Sequence, residues 1–252
     1  METRWASAMR LWAEKFGIKA ILFDLDDTLI KVRVMFTTHM KESVDYICSC
    51  YPEIGWEELR KRQQEINNEE YLKYSVNPDR WRSVYRRLQS EFPGIAQETW
   101  DHALNIVFRL YTDTPEVFAG VFDILSHFRK AGIRIILVTH ASEEWTELKL
   151  RKTGLDSFLD TVVCISPDVF KDLNAWSRAI KIAEAAPAEV VVVGDNLPGD
   201  IISAYEVGVR HLYWVDAGVG WEHYRKGKIP EGAAIIREVG DLLSCIEEQT
   251  FL

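Results

Sequence analysis

Five short apolar runs punctuate the chain, at residues 19–23, 133–138, 161–165, 190–194 and 209–215. They are rich in Val, Ile and Leu and read as strands buried on both faces. Between the last four the polarity changes period. Val121, Leu125 and Phe128 share one face of a stretch that closes at Ala131-Gly132, a favourable helix end. Ser142 is placed to cap a helix running to Thr153-Gly154, with Glu143 and Glu144 in its first turn. Further helices are expected from Leu173 to Ala186, before Pro187, and from Asp200 to Val207, before Gly208. Strands alternating with helices predict a mainly parallel sheet covered on both faces. Near the N-terminus, Trp5, Met9, Trp12 and Phe16 recur at helical spacing. They predict an amphipathic helix packed on the core.

A different pattern fills residues 33–114. No alternating run stands out there, and four helices fit, at about 35–49, 56–71, 78–91 and 97–111. Pro52, Asn77-Pro78 and Pro93-Gly94 separate them. Trp81, Tyr85 and Leu88 recur at i, i+4 and i+7, as do Trp100, Leu104 and Val107. The reading is a helical module inserted into an α/β chain whose core is discontinuous, 1–32 plus 115–252.

Composition narrows the function classes. The 252 residues carry 30 Lys and Arg against 39 Asp and Glu, a formal charge of −9. This argues against nucleic acid as a partner. No apolar run is long enough to span a bilayer, so no membrane partner is expected. Cys48, Cys50, Cys164 and Cys245 lack zinc-site spacing. Their usage suits a reducing compartment, and a cytoplasmic protein is expected.

The chemistry gathers where apolar runs end. The first breaks off into Asp24-Leu25-Asp26-Asp27-Thr28. Asp24 and Asp26 are two apart and point the same way on an extended chain, with Cα atoms roughly 7 Å apart. Like charges this close call for neutralisation, and a hard cation such as Mg²⁺ suits carboxylate oxygens. The run at 133–138 ends on Thr139-His140, and that at 190–194 on Gly194, Asp195 and, five residues later, Asp200. Open parallel sheets place ligands at that end of their strands.

Asp24-x-Asp26-x-Thr28 after a hydrophobic strand resembles motif I of the haloacid dehalogenase-like (HAD) hydrolase superfamily, in its phosphatase form. Thr139 resembles motif II, Lys171 motif III and Gly194-Asp195-x-x-x-x-Asp200 motif IV, all in the family's order. The resemblance covers nearly all of the core and implies a Rossmann-like parallel sheet with an inserted α-helical cap. It implies a Mg²⁺-dependent phosphatase acting on a small-molecule phosphate ester, a sugar phosphate or nucleoside monophosphate. In that reading Asp24 is the nucleophile and Asp26 the general acid and base. Lys171 and Thr139 hold phosphate oxygens. The metal is bound by Asp24, Asp195 and the main-chain carbonyl of Asp26, while Asp200 assists through water or by holding Lys171. Two departures flank these groups. His140 stands where Asn or Gly is common, and Lys171 is followed by Asp172-Leu173-Asn174 instead of Pro-Asp-Pro. The alternatives are a phosphoglucomutase-like phosphoryl transferase and a non-catalytic binding protein on the same fold. A dehalogenase is disfavoured because Asp26 is present. Arg80, Arg82, Arg86 and Arg87, beside Trp81 and Tyr85, form a candidate face for an anionic substrate, with Arg82, Tyr85 and Arg86 foremost.

Overall fold

The computed structural model describes residues 4–218 and 220–251. Two compact units emerge. Among the described residues, the first joins those up to Lys31, Glu116–Ile165 and those from Phe170 on, and the second Val32–Pro115 with Ser166–Val169.

In the first unit, helix α1 (Arg4–Phe16) precedes strand β1 (Ala20–Phe23). After the insertion come α6 (Val121–Lys130), β2 (Arg134–His140), α7 (Glu143–Thr153), β3 (Thr161–Ile165), α8 (Leu173–Ile182) and β4 (Val190–Gly194). Then follow α9 (Ser203–Glu206), β5 (His211–Val215), β6 (Ala234–Ile236) and α10 (Leu242–Phe251). Among the described residues the six strands form one sheet in the order β3-β2-β1-β4-β5-β6, every pair parallel. β1 lies between β2 and β4, with Phe23 opposite Leu137 on one side and Val193 on the other.

The two faces follow from strand alternation. Ala20, Leu22, Ile136, Val138, Val190 and Val192 share a cluster with Trp176 of α8. Phe23, from the alternate set, meets Phe128 of α6 with ring centroids 6.2 Å apart. Met9 and Trp12 are fully buried, and the Trp12 indole donates to Gln249 Oε1 of α10 at 2.9 Å. The N-terminal stripe is thus a core-facing helix.

The helix boundaries have local causes. Ser142 accepts from the Trp145 N–H, and Gly154 ends α7 in the left-handed region that glycine adopts freely. α8 stops at Ile182, short of the expected Ala186, because Glu184 turns the chain at φ 53° toward β4. The segment expected as a helix from Asp200 begins earlier, as a wide π-type turn over Leu197–Ile202 under an Asn196 cap, and then runs into α9.

The second unit holds α2 (Val32–Cys50), α3 (Trp56–Tyr74), α4 (Asp79–Glu91) and α5 (Gln97–Phe108). Its core centres on Trp81, Leu88, Trp100 and Val107 with Leu59 and Ile66. A polar triad is sealed inside. Gln63 Nε2 donates to Ser43 Oγ at 3.0 Å and to Tyr85 Oη at 2.8 Å, and the Tyr85 hydroxyl donates to Ser43 Oγ at 2.6 Å. This corrects the expected substrate face. Tyr85 and Arg80 are buried, the latter donating to the Ser75 carbonyl. Arg87 is paired with Glu69 and Glu70. Arg82 and Arg86 are exposed, Arg82 beside Asp79 and over the Phe108 ring. The i, i+4 spacing that put Trp81 and Tyr85 together reflects packing within the unit.

Among the described residues no helix is long and apolar enough to cross a membrane. The four cysteines carry free thiols. Burial pushes the Cys164 thiol up, as it does that of Cys245.

Candidate active site

β1 ends at Phe23, and the Asp24 N–H donates to the Val193 carbonyl at 2.9 Å. Asp24 therefore stands level with Gly194, the last residue of β4. Beyond it the chain winds tightly. The Leu25 carbonyl accepts from the N–H groups of Leu29 and Ile30, and the Asp27 N–H donates to the Ile30 carbonyl at 2.7 Å. Asp27 takes φ 59°, a left-handed value that Asp tolerates better than most residues. The Thr28 hydroxyl is buried and lacks a hydrogen-bond partner among the described residues.

Lys171 reaches into this corner from the loop before α8. Asp172 caps that helix, accepting from the Asn174 and Ala175 N–H groups at 2.9 and 3.1 Å. The unusual Asp172-Leu173-Asn174 is thus a helix start, and it leaves the preceding lysine pointing inward. The Lys171 side chain is only 2% exposed. Its ammonium lies 2.6 Å from Asp24 Oδ1 and 2.7 Å from Asp200 Oδ1. The second contact is an ion pair without hydrogen-bond alignment. The Trp176 ring lies on a further side, 5.1 Å away.

Asp200 is fully buried. Its Oδ2 accepts from the Asn196 N–H at 3.1 Å, while its Oδ1 faces Lys171. The turn that carries it is pinned twice more. The Trp176 indole donates to the Gly199 carbonyl at 2.7 Å, and the Trp214 indole to the Asp195 carbonyl at 2.8 Å. Asp24, Asp195 and Asp200 present carboxylate oxygens that all lie within 4.8 Å of one another. Asp195 has no cationic partner among the described residues.

Electrostatics mark this corner as short of positive charge. Burial pushes the Asp24 carboxyl up to about 7; Lys171 opposes the rise, and Asp200 and Asp26 add to it. Asp195 is raised well above the usual carboxylate range by burial, then by Asp24, Asp27 and Asp200. For Lys171 burial alone would lower the pKa, but Asp200 and Asp24 outweigh it and the net shift is upward. The lysine is a fixed cation, and the acids around it outnumber it. Three close carboxylate oxygens with a deficit of charge fit a hard divalent cation with oxygen ligands.

The structure thus brings Asp24, Lys171, Asp195 and Asp200 into one cluster. Asp26 stands at its edge with a side chain 30% exposed, engaged by a residue that sequence reasoning missed. Lys149 Nζ lies 2.6 Å from Asp26 Oδ1 and 2.8 Å from Oδ2. Thr139 is buried at the end of β2, beside β1. Helical spacing carried a signal for Lys149, which falls three and four positions from Thr146 and Trp145 on α7 and one before buried Leu150.

Known proteins share the family and the fold. Residues 18–208 match the family model of haloacid dehalogenase-like hydrolases. Pyrophosphatase PpaX of Bacillus velezensis is 24% identical over 213 residues, covering 81% of this chain and 84% of the relative. Phosphoglycolate phosphatase 1 of Pseudomonas aeruginosa is 25% identical over 240 residues, covering 91% and 80%. In fold, the chain resembles a haloacid dehalogenase-like family hydrolase from Xanthomonas campestris, with a TM-score of 0.75 at 17% identity, over 93% of this chain and 96% of that one. An HAD phosphatase from Thermococcus onnurineus superposes with a TM-score of 0.60 at 21% identity, over 91% and 98%.

Proposed function

Because the chain belongs to the haloacid dehalogenase-like hydrolase family and is a hydrolase of its phosphatase type, we propose that it hydrolyses a small phosphomonoester through an aspartyl-phosphate intermediate. The observation that carries this reading is the buried Lys171 between Asp24 and Asp200, beside the carboxylate of Asp195. A nucleophilic carboxylate and a fixed cation at the strand ends are what phosphoryl transfer requires.

In the first half-reaction an Asp24 oxygen attacks phosphorus in line, the bond to the leaving oxygen breaks, and Asp26 delivers a proton to that oxygen. In the second, Asp26 takes a proton from water, the water oxygen attacks phosphorus, and inorganic phosphate leaves with Asp24 restored. Lys171 holds the inactive oxygen of Asp24, which leaves Oδ2 as the attacking atom. Its charge and the Thr139 hydroxyl steady the non-bridging oxygens. Asp24, Asp195 and the Asp26 main-chain carbonyl would hold Mg²⁺, with Asp200 serving mainly to anchor Lys171. When bound, the ion offsets the charge of the phosphate and of the carboxylates around it.

The test is turnover by the purified chain with Mg²⁺. The panel holds an aryl phosphate, sugar phosphates and nucleoside monophosphates. It also holds pyrophosphate and phosphoglycolate, the substrates in the relatives' names. Release of phosphate that Asp24→Asn abolishes is the expected result. Phosphate release by wild type and Asp24→Asn alike would exclude the covalent route.

A further inference from the structure

Resting on the phosphatase reading above, we propose that Lys149 is a positioning residue of the phosphoryl-transfer site, holding the Asp26 carboxylate in a single orientation. Lys149 sits on α7, the helix after β2, and its side chain is 2% exposed. Such burial is rare for lysine and calls for a partner. Among the described residues that partner is Asp26, whose two oxygens lie 2.6 and 2.8 Å from Nζ. The Trp145 ring covers another side of the ammonium, 4.0 Å from Nζ to the centroid, a cation–π distance.

This geometry limits what Lys149 can do. Its ammonium is engaged by both oxygens of one carboxylate and by one ring, so it acts on the reaction through Asp26. Stability does not explain the choice of the pair, because two well-packed apolar side chains in place of both partners are often as stable or more so. What the pair supplies is orientation. A carboxylate held at both oxygens cannot rotate about its own axis, whereas a carboxylate at the end of a tight loop otherwise would. Lys171 offers an internal comparison. It too is a 2% exposed lysine between an aspartate of the first motif and a tryptophan of the following helix. One aspartate of the pair Asp24 and Asp26 is therefore fixed from α8's side of the sheet end, and the other from α7.

The experiment is a double-mutant cycle on an aryl phosphate with Mg²⁺, a substrate whose good leaving group should let Asp26→Asn keep measurable turnover. Lys149→Met should lower kcat about tenfold in the wild-type background, with KM within about twofold, and should change kcat less than about twofold in the Asp26→Asn background. Lys149→Met leaves the Asp26 carboxylate without its partner, so its urea midpoint should fall in the wild-type background and fall less in the Asp26→Asn background, where no charge is left behind. Equal losses in both backgrounds would overturn the proposal, as would no loss in wild type. Should Lys149→Met not fold, Lys149→Gln carries the same cycle, and failure of both to fold would assign the lysine to stability instead. Wild-type inactivity on every ester would be seen before any variant is compared. It would overturn the phosphatase reading and, with it, the role given to Lys149.

Discussion

A methyl group added to Gly194 would lie 2.1 Å from Asp200 Oδ2. β4 therefore ends on the one residue that lets the Asp200 carboxylate fold back against the strand, cap the turn at Asn196 and face Lys171. Gly194→Ala must push Asp200 aside and leave Lys171 short of a partner. Breaking one side of a buried ion pair costs about 3–5 kcal/mol. The variant should lose most of its activity and unfold at markedly lower urea than wild type. A Gly194→Ala protein with the wild-type urea midpoint would show that the carboxylate does not need this space.

Among the described residues Asp195 has three acidic neighbours and no ion pair of its own. In excess chelator, Asp195→Asn should be more stable than wild type, because it removes a carboxylate that burial, Asp24, Asp27 and Asp200 all disfavour in its charged form. A gain of about 1 kcal/mol would raise the melting temperature by roughly 2–4 °C in a chain of this size. Mg²⁺ should then stabilise wild type and leave the variant nearly unmoved. Differential scanning calorimetry with and without Mg²⁺ reads both effects. Equal Mg²⁺-induced shifts in the two proteins would remove Asp195 from the metal site.

Chelation should abolish turnover and Mg²⁺ should restore it. Ca²⁺ should bind but support little activity, since its larger and looser coordination shell spoils in-line geometry. Undiminished phosphate release in excess chelator is the contrary result.

Asp26→Asn should slow alkyl phosphates far more than an aryl phosphate, because only the poorer leaving group needs a proton as it departs. Steady-state kinetics on a series of esters graded in leaving-group acidity would give a steeper dependence for the variant. Parallel dependences would argue against proton transfer by Asp26.

The buried triad of the helical unit yields a stability prediction. Tyr85→Phe leaves Ser43 and Gln63 short of a partner, at a cost of about 1–3 kcal/mol. Calorimetry should show that loss, while kcat/KM on an aryl phosphate stays within about twofold of wild type. A selective change in substrate preference at unchanged stability would return Tyr85 to a recognition role.

Much of this was legible in residue order. Long, chemically uniform runs such as Val190–Gly194 have few competing readings, and polar groups that end three such runs converge once the strands are parallel neighbours. β6 leaves no signal in the sequence, because Ala234–Ile236 is too short to show a period. The end of α8 is not legible in the sequence, because Ala183, Glu184, Ala185 and Ala186 are composed like a helix, yet the chain must turn back to enter β4. Lys149 carries little signal of its role, because a lysine amid Glu147, Leu148 and Leu150 is ordinarily solvated. Its partner is 123 positions away in sequence, and only the folded sheet brings the two together. Arg80 and Tyr85 erred the other way. A basic, aromatic stretch resembles a binding face, but the rings and one guanidinium were needed inside the helical unit.

The insertion is sewn in at its base. The Lys31 N–H donates to the Glu116 carbonyl at 2.8 Å, the Phe118 N–H to the Leu29 carbonyl at 3.0 Å, and Ile30 bridges Val117 antiparallel. Lys31 and Glu116 also join through their side chains. The two ends of the detour are thus fixed to each other by the α/β unit, whatever runs between them. The entropy of closing a loop grows only slowly with its length. For the sheet, then, the length of the excursion is almost immaterial. The α/β scaffold can accept a shorter, longer or wholly different excursion at this seam without re-registering a strand, and the place where the chain leaves catalysis to build something else is also the place where it is most freely rewritten.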